Sequence, residues 1–422
     1  MTIAPNDSCM PYLTRIDFVI ELARRLHIYG TSAQRLEGAV SKVAQRLNLQ
    51  QVEVWSNPTG MLLSFLDPER GTPYSITRVI RLEPGEVNLG RLAAADAIAE
   101  DVLSGRRDIE NGLKAMRALD RPVRPYAGTL ATLSFGLAAA SITCLLQRTG
   151  WADLIAAFVL GSLIGAITRY SETRPNWSDA HEALAAFIAT ILTTAVATFV
   201  APLSVQSVVI AALIVLMPGM ALTNAISELA SKQLVSGAAQ FAGAMTSLLK
   251  LAFGAVAASH VIELLGWQPL SNAMVPVLPQ WMPWVALLPG SFAFAVLFKA
   301  ARRDVLLVMA SVCLGYLATR LVGMSPAAQS GTLPTGVFVA GIIVTAVANA
   351  YGRYFNRPGA LIRVPGIIMM VPGSLGFRSF NFAMTSDVLL GLNTAITVVV
   401  VLIALVAGIL VGNLLISPRR NL

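Results

Sequence analysis

The sequence predicts a mainly α-helical, polytopic membrane protein. We expect ten transmembrane helices in two inverted five-helix repeats, preceded by a small N-terminal α+β cytoplasmic domain. Three observations support this prediction. The chain of 422 residues is 55% hydrophobic and only 13% charged, whereas a soluble domain carries about 25% charged residues. Long uncharged runs begin near residue 128, and their pattern of Gly and Pro recurs after 154 residues.

Residues 1–122 have the pattern of a small soluble α+β domain. Tyr12–Leu47 has helical periodicity that is interrupted at Gly30. The Thr-Ser pair after that glycine is the expected N-cap of a second helix. The remaining predicted elements are strands at 52–55, 61–65 and 76–82, helices near 89–103 and 109–119, and a linker, Arg121–Pro125, into the membrane.

The membrane half is predicted to contain two copies of one unit, residues 127–263 and 282–417. A shift of 154 residues places Pro218-Gly219 on Pro372-Gly373 and four further glycines on glycines. Such interruptions at corresponding positions of duplicated hydrophobic halves are typical of secondary transporters. The predicted spans are 128–146, 154–168, 183–203, 205–226, 234–262, 282–298, 305–319, 335–351, 364–377 and 388–416.

The distribution of Lys and Arg predicts the orientation in the membrane. Ten spans place both termini on one side, where the loops carry eleven Lys or Arg, against three on the other side. The positive-inside rule therefore places both termini in the cytoplasm. Five spans per copy is an odd number, so the copies are expected to be inverted. The eleven are Arg169, Arg174, Lys232, Lys299, Arg302, Arg303, Arg353, Arg357, Arg363, Arg419 and Arg420; the three are Arg148, Arg320 and Arg378.

Composition and motifs argue against other functional classes. The net charge of +8 comes from cations at the ends of apolar runs, so no nucleic-acid-binding face is expected. The three cysteines, Cys9, Cys144 and Cys313, form no metal or redox pattern. The chain has no HExxH, GxSxG or GxxxxGK[ST] motif. We therefore expect no enzymatic activity, no metal and no cofactor.

Several short motifs, in their order along the chain, resemble the threonine/serine exporter family. The N-terminal part carries Gly30-Thr-Ser-Ala-Gln-Arg-Leu-Glu37, Pro58-Thr-Gly60 and Asn88-Leu-Gly-Arg-Leu92. The membrane half carries Met217-Pro-Gly219, Val364-Pro-Gly366 and Val371-Pro-Gly-Ser374. The resemblance covers nearly the whole chain.

This resemblance implies an exporter of small hydroxylated amino acids in the bacterial cytoplasmic (inner) membrane, driven by the proton motive force. Two-chain relatives are similar to dicarboxylate exporters, so the substrate stays open. The expected partners are the small-molecule substrate, the proton and the lipid bilayer, with a possible homo-oligomer. A membrane-anchored sensor or regulator that uses the soluble domain as its reader is the alternative from another functional class.

The two Pro-Gly breaks are the predicted substrate site. Proline removes an amide donor and glycine allows the helix to unwind. The free amides of the resulting helix N-termini suit a substrate carboxylate. Replacing either pair by Ala-Ala is expected to mend the helix and to leave stability unchanged or higher. The candidate substrate-binding residues are Pro218, Gly219, Asn224, Pro372, Gly373, Ser374 and Asn393.

Three charged residues are candidates for proton coupling or for binding a charged group. Glu228 and Asp387 each lie near the end of a broken segment, and Lys250 lies in the middle of the span 234–262. A charge near the bilayer centre is costly, so Lys250 is expected to face a protein cavity or a partner. Solvation is expected for the other acids of the membrane half: Asp153, Glu172, Asp179, Glu182, Glu263 and Asp304.

The soluble domain offers one candidate surface for docking beneath the membrane half. It combines Arg35 and Glu37 of the predicted second helix with Pro58 and Gly60 of the predicted hairpin. The sequence alone identifies no ligand for this domain.

Overall fold

The computed structural model describes residues 12–67, 74–120, 128–146, 149–174, 177, 179–270, 277–323, 334–385 and 387–418. The predicted linker Arg121–Pro125 lies outside these residues, as do Cys9 and the loop and tail charges Arg148, Arg419 and Arg420. Within the described ranges the chain is mainly helical and contains one three-stranded sheet. This finding confirms the predicted class of a helical membrane protein that carries a small α+β region.

The N-terminal part folds around its own core. Phe18, Leu22 and Leu26 lie on one face of the first helix and are fully buried, as the helical periodicity predicts. The chain turns after this helix at Gly30, whose φ of +78° favours glycine. The sheet is antiparallel in the order β1-β2-β3. The elements are α1 (Tyr12–Ile28), α2 (Ala33–Arg46), β1 (Glu53–Asn57), β2 (Gly60–Asp67), β3 (Tyr74–Arg81), α3 (Leu89–Leu103) and α4 (Ile109–Ala118).

The membrane half follows in twelve helices within the described residues. Eight helical segments are long and apolar enough to cross a membrane. These segments show a multi-pass membrane protein. The predicted count of ten spans also includes the short apolar helix Met282–Leu297 and the pair of helices on either side of Pro218, and it stays a prediction. The helices are α5 (Gly128–Leu145), α6 (Trp151–Ser171), α7 (His181–Phe199), α8 (Val205–Leu213), α9 (Gly219–Ala230), α10 (Leu234–Leu264), α11 (Met282–Leu297), α12 (Val305–Gly323), α13 (Thr335–Phe355), α14 (Ala360–Ile367), α15 (Gly373–Met384) and α16 (Val388–Leu415).

Helix starts in the two copies keep the spacing that the glycines show. The helices α5, α6, α7, α9 and α10 begin 154 residues before α11, α12, α13, α15 and α16, respectively. Contacts correspond too: Gly237 of α10 packs against the backbone of Ala225 in α9, and Gly391 of α16 packs against that of Ser379 in α15. In both copies, glycine lets a short helix and a long helix approach closely as a hairpin.

Two of the acids expected to be solvated are buried, and each ties a helix start to a neighbouring loop. Asp153 is 3% exposed and accepts hydrogen bonds from the amides of Gly150 and Ser204, each at 2.7 Å. Asp304 is 1% exposed and pairs with both terminal nitrogens of Arg357, at 2.7 and 2.8 Å. The expectation of solvated carboxylates was wrong here because a buried charge is retained when it is fully hydrogen-bonded or paired.

The N-terminal part docks onto the membrane half through backbone groups. The amides of Leu89 and Gly90, in the first turn of α3, donate to the carbonyls of Phe298 and Lys299, just beyond α11. A helix N-terminus thus meets a helix C-terminus, which satisfies orphan groups of both. A side chain at Gly90 would overlap the Lys299 carbonyl. This docking fixes the domain against the second copy.

Candidate functional site

The two Pro-Gly breaks adopt nearly the same backbone geometry. Pro218 has φ −78° and ψ 42°, and Pro372 has φ −83° and ψ 42°. Each following glycine donates to the carbonyl two residues earlier, at 2.8 Å for Gly219 and 3.0 Å for Gly373. Each break therefore ends one helical segment in a tight turn and starts a twelve-residue helix directly at the glycine.

The two breaks meet in the folded chain. A Cβ built on Gly219 would lie 3.4 Å from the Cα of Gly373, and a Cβ on Gly373 would lie 3.4 Å from the Cα of Gly219. The first would also overlap Cγ1 of Val371, and the second would lie 3.2 Å from the Cβ of Met217. We call this backbone-to-backbone contact of α9 and α15 the Pro-Gly crossing.

The crossing changes the expectation for an Ala-Ala replacement. Alanine at position 219 would collide with the β-branched side chain of Val371, which has little rotamer freedom. Each glycine therefore has two roles: it interrupts the helix, and it allows the backbones of the two copies to approach closely. The expectation that an Ala-Ala replacement leaves stability unchanged or higher does not fit this geometry. The prolines can be replaced singly, because a change at the proline adds no Cβ to the glycine.

The crossing brings two helix N-termini together. The first intrahelical acceptors are Pro218, which binds the amide of Leu222, and Pro372, which binds that of Gly376. The amides of Met220 and Ala221, and of Ser374 and Leu375, precede these bonds and have no helical acceptor. Both helix dipoles place positive charge at this point. The arrangement suits a small anionic group such as a carboxylate.

Glu228 lies at the far end of α9, where the N-terminal domain covers it. The residue is 1% exposed. Its Oε1 accepts from the amide of Ala33, the first residue of α2, at 2.9 Å, and both oxygens accept from Nε2 of Gln240 at 3.0 Å. Glu228 is therefore a buried acid that joins two domains, and it stands apart from the glycines of the crossing by the length of α9.

Glu37 forms a second link between the domains. Its Oε2 accepts from Nε2 of Gln233 at 2.7 Å, and its Oε1 accepts from the amide of Ser56 at 2.8 Å. Burial raises the pKa of Glu37, and these two hydrogen bonds oppose that rise, while the nearby Glu228 adds to it. Pro58 lies in the turn between β1 and β2, where its carbonyl lies 3.2 Å from Nε2 of His27, and Gly60 is the first residue of β2.

Lys250 has a partner that the sequence did not reveal. Its Nζ lies 3.6 Å from Oε2 of Glu182, at the start of α7, and the hydroxyl of Ser247 donates to the other oxygen at 2.7 Å. The side chains of Lys250 and Glu182 are 39% and 16% exposed. The expectation of a solvated Glu182 was therefore wrong, because the acid neutralises the cation of the neighbouring helix.

Comparisons with protein families then decide the family. One threonine/serine exporter family model matches residues 17–262, which is more than half of the chain, and a second threonine/serine exporter model matches residues 284–415. The chain belongs to the threonine/serine exporter family. The resemblance carried by the short motifs is thereby confirmed, and the family is one of transporters.

Curated relatives of this family member are fungal and distant. An uncharacterized protein of Schizosaccharomyces pombe is 23% identical over 399 residues, covering 91% of this chain and 45% of its own length. Pheromone-regulated membrane protein 10 is 24% identical in Eremothecium gossypii, covering 87% of this chain and 49% of that protein. In Candida albicans it is also 24% identical, with coverages of 91% and 34%. The chain thus spans between a third and a half of the length of these relatives. No solved structure matches it.

Three further candidates of this exporter-family chain lie in different surroundings. Ser374 follows Gly373 at the crossing and is half-buried. Asn393 is exposed on α16, and Asp387 is exposed where it caps that helix by accepting from the amide of Leu390 at 3.2 Å. The structure thus brings Ser374 to the crossing and leaves Asn393 and Asp387 on the surface. Within the described ranges, no three His, Cys, Asp or Glu side chains form a metal-binding group.

Two more predicted residues, Arg35 and Asn224, lie on opposite sides of the domain boundary and face the same space. They line one cavity together with Arg363 of α14. The sequence suggested Arg363 only as a charge that sets the membrane orientation. Arg35 was expected on a docking surface, and Asn224 was expected in the substrate site. Because both line one cavity, the domain boundary lies beside the first turns of α9.

Proposed function

We propose that the chain is a secondary transporter that exports small amino acids such as threonine and serine and is driven by the proton motive force. The proposed location is the bacterial cytoplasmic membrane, with both termini and the N-terminal domain in the cytoplasm. Ten spans, five in each copy, would run in opposite orientations. The family assignment and the matching helix starts support this proposal.

The observation that carries the proposal is the Pro-Gly crossing. Helix N-termini from both copies meet there, with the backbones of Gly219 and Gly373 in close approach. A substrate carboxylate bound by amides of both helices would interact with both copies at once. Rocking of one copy against the other around such a point is the expected motion of inverted-repeat transporters.

Proton coupling needs an acid whose surroundings change during transport. We propose Glu228 for this role because it is buried between the N-terminal domain, α9 and α10. The pair of Lys250 and Glu182 is a second candidate, since it lies between α7 and α10. Asp387 is exposed and caps its own helix, so we assign it no more than a local role in the conformation described.

Single proline replacements test the crossing without disturbing the glycine contact. Pro218→Ala and Pro372→Ala should each restore an amide and favour a continuous helix, because alanine is preferred over proline in a helix interior by about 3 kcal/mol. Both variants should insert and fold, and export per molecule should fall at least tenfold. Export of labelled threonine and serine is measured in cells that lack the chromosomal copy, normalised to membrane protein. A destabilised variant with full export per molecule would contradict the proposed site.

The same assay decides between the substrate classes. Labelled succinate is offered in parallel, because a dicarboxylate exporter would lower its accumulation and leave threonine and serine unchanged. If cells with and without the protein accumulate threonine, serine and succinate equally, the result would instead favour a role as sensor or regulator.

Reporter fusions test the orientation. A reporter placed after Pro279 should be found outside the cytoplasm, and reporters placed after Arg303 or Arg357 should be found inside. A cytoplasmic signal at Pro279 would reject the inverted arrangement of the two copies.

A further inference from the structure

A cavity of about 40 Å³ lies between the N-terminal domain and the membrane half. This volume exceeds the roughly 10–15 Å³ that one water needs, so a few waters or one small polar group fit without rearrangement. Four segments form its walls. The N-terminal domain contributes the loop and helix start at 29–35 and the start of α3 at 87–92, and the membrane half contributes the first two turns of α9 at Met220 and Asn224 and α14 around Arg363.

The walls of this cavity carry positive charge without a negative counterpart. Arg35 and Arg363 both line it, and no Asp or Glu is among its lining residues. Neither arginine side chain forms a hydrogen bond or ion pair with any residue that the structure describes; their bonds run from the backbone amides to Ser32 and Gly359. Burial lowers the pKa of Arg35 to about 10, with no carboxylate that offsets the desolvation. Two half-buried guanidinium groups are therefore left facing a common space.

Two residues that line the cavity also carry buried hydroxyl groups without partners. Tyr29 is 2% exposed, and its hydroxyl has no hydrogen-bond partner among the described residues. The hydroxyl of Thr31 is buried and unpaired in the same way. A buried polar atom without a partner costs about 1–3 kcal/mol, so two of them on residues that line one small cavity favour binding of an acceptor there. The α9 N-terminus beside Met220 adds positive charge to the same wall.

We propose that this cavity binds the carboxylate of a small molecule. Arg35 and Arg363 would hold the two oxygens through charge-assisted hydrogen bonds, and Thr31 and Tyr29 would donate from the wall of the N-terminal domain. Asn224, which lines the cavity from α9, would add an amide donor. The bound group would contact the N-terminal domain and both copies of the membrane unit, so its binding would hold these three parts in the arrangement described.

This site goes beyond the proposed function, because binding there does not require that the bound molecule is transported. Two sources share the chemistry, namely the exported substrate on its way to the crossing and a separate cytoplasmic carboxylate that regulates export. Both bind through the same arginines, and transport measurements separate them.

Binding of threonine and of succinate to the purified full-length protein in detergent tests the site. Isothermal titration is made on wild type, Arg363→Gln and Arg35→Gln. Matched controls are Arg302→Gln and Arg24→Gln, since Arg302 and Arg24 are exposed and lie outside the cavity. Loss of one charged hydrogen-bonding partner should weaken binding of at least one compound by about ten- to hundredfold, with the controls unchanged. Arg363→Lys should restore part of the affinity if charge at this position is what matters.

Melting temperatures without ligand separate a binding defect from a folding defect. Arg363→Gln and Arg35→Gln should melt no lower than wild type, because both remove an unpaired buried cation. Wild-type affinity in both variants would overturn the proposal, and so would the absence of binding of either compound to wild type. If Arg363→Gln also raises the KM of export, the bound carboxylate is the substrate. If binding is lost while the kcat and KM of export stay unchanged, the site belongs to a separate ligand; both results support the site itself.

Discussion

The two hairpins that start at the Pro-Gly breaks have the same backbone geometry but differ in what covers the far end of the short helix. In the α9–α10 hairpin, the far end of the short helix is buried under the N-terminal domain, with Glu228 1% exposed. In the α15–α16 hairpin, the corresponding end is more open: Phe382 is only half-buried and Asp387 is exposed. The two copies therefore share their geometry at the crossing, and they differ in burial at the far ends of the short helices.

Two substituted positions account for much of this difference. Glu228 corresponds to Phe382, and Gln233 corresponds to Asp387, after the shift of 154 residues. Asp387 uses its carboxylate to cap its own helix, as an N-cap residue commonly does. Gln233 occupies the same N-cap position, but its side chain donates to Glu37 of the N-terminal domain. A single domain can cover only one of the two hairpins, so the two copies have become unequal where that domain binds.

The largest effect is expected where the hairpins meet. Gly219→Ala should lower the free energy of unfolding by about 1–3 kcal/mol through overpacking against Val371. Gly373→Ala should cost less, because its nearest new contact, at 3.2 Å from the Cβ of Met217, is tight but does not overlap. Thermal unfolding of both variants in detergent, followed by intrinsic fluorescence, measures the difference.

A double variant serves as the control for this comparison. Val371→Ala removes the atom that an alanine at position 219 would strike, so it should recover much of the loss caused by Gly219→Ala. Equal destabilisation by the two alanines, with no rescue, would show that the crossing is not tight at Val371.

The helix breaks can be predicted from the local sequence, whereas the contacts that the breaks make depend on the tertiary structure. Pro218 and Pro372 could be identified from sequence because proline interrupts a helix wherever it lies in one. The crossing could not, since it needs two glycines 154 residues apart to touch. Glu182 and Lys250 lie on different helices, 68 residues apart, so spacing along one helix gives no sign of their pairing. Arg363 was counted only for the membrane orientation, because the partner wall of its cavity belongs to another domain.

The next effect is expected at the covered end of α9. Glu228→Ala leaves the amide of Ala33 and the amide group of Gln240 without their acceptor, which should cost about 1–3 kcal/mol. Glu228→Gln keeps one acceptor oxygen and should cost less. Limited proteolysis of the N-terminal domain in membranes measures the release, and Phe382→Ala in the other copy provides the control. Faster cleavage of Phe382→Ala than of Glu228→Ala would contradict the assigned link.

Exchanging the two N-cap residues sharpens the comparison further. Gln233→Asp would place a second carboxylate beside Glu37 and remove the donor at 2.7 Å, so the N-terminal domain should bind less tightly. Asp387→Gln removes only a cap at an exposed helix start and should cost about 1 kcal/mol. Cross-linking between cysteines placed in α2 and α10 reports the docking; it should fall in Gln233→Asp and stay unchanged in Asp387→Gln.

The smallest effect is a dependence of stability on pH through Glu37, for which the open hairpin has no counterpart. The pKa of Glu37 is raised in the folded protein, mainly by burial, so the folded state holds a proton that the unfolded state has already released. Stability from this group is therefore fully present below its ordinary pKa and is lost as the pH rises through the raised value. Glu37→Gln has no proton to lose and can still accept from the amide of Ser56. Melting temperatures of the wild type should fall relative to those of Glu37→Gln as the pH rises through this interval, and the curves should run parallel at higher pH. Parallel curves throughout would show that the link between Glu37 and Gln233 is as well solvated as the exposed cap at Asp387.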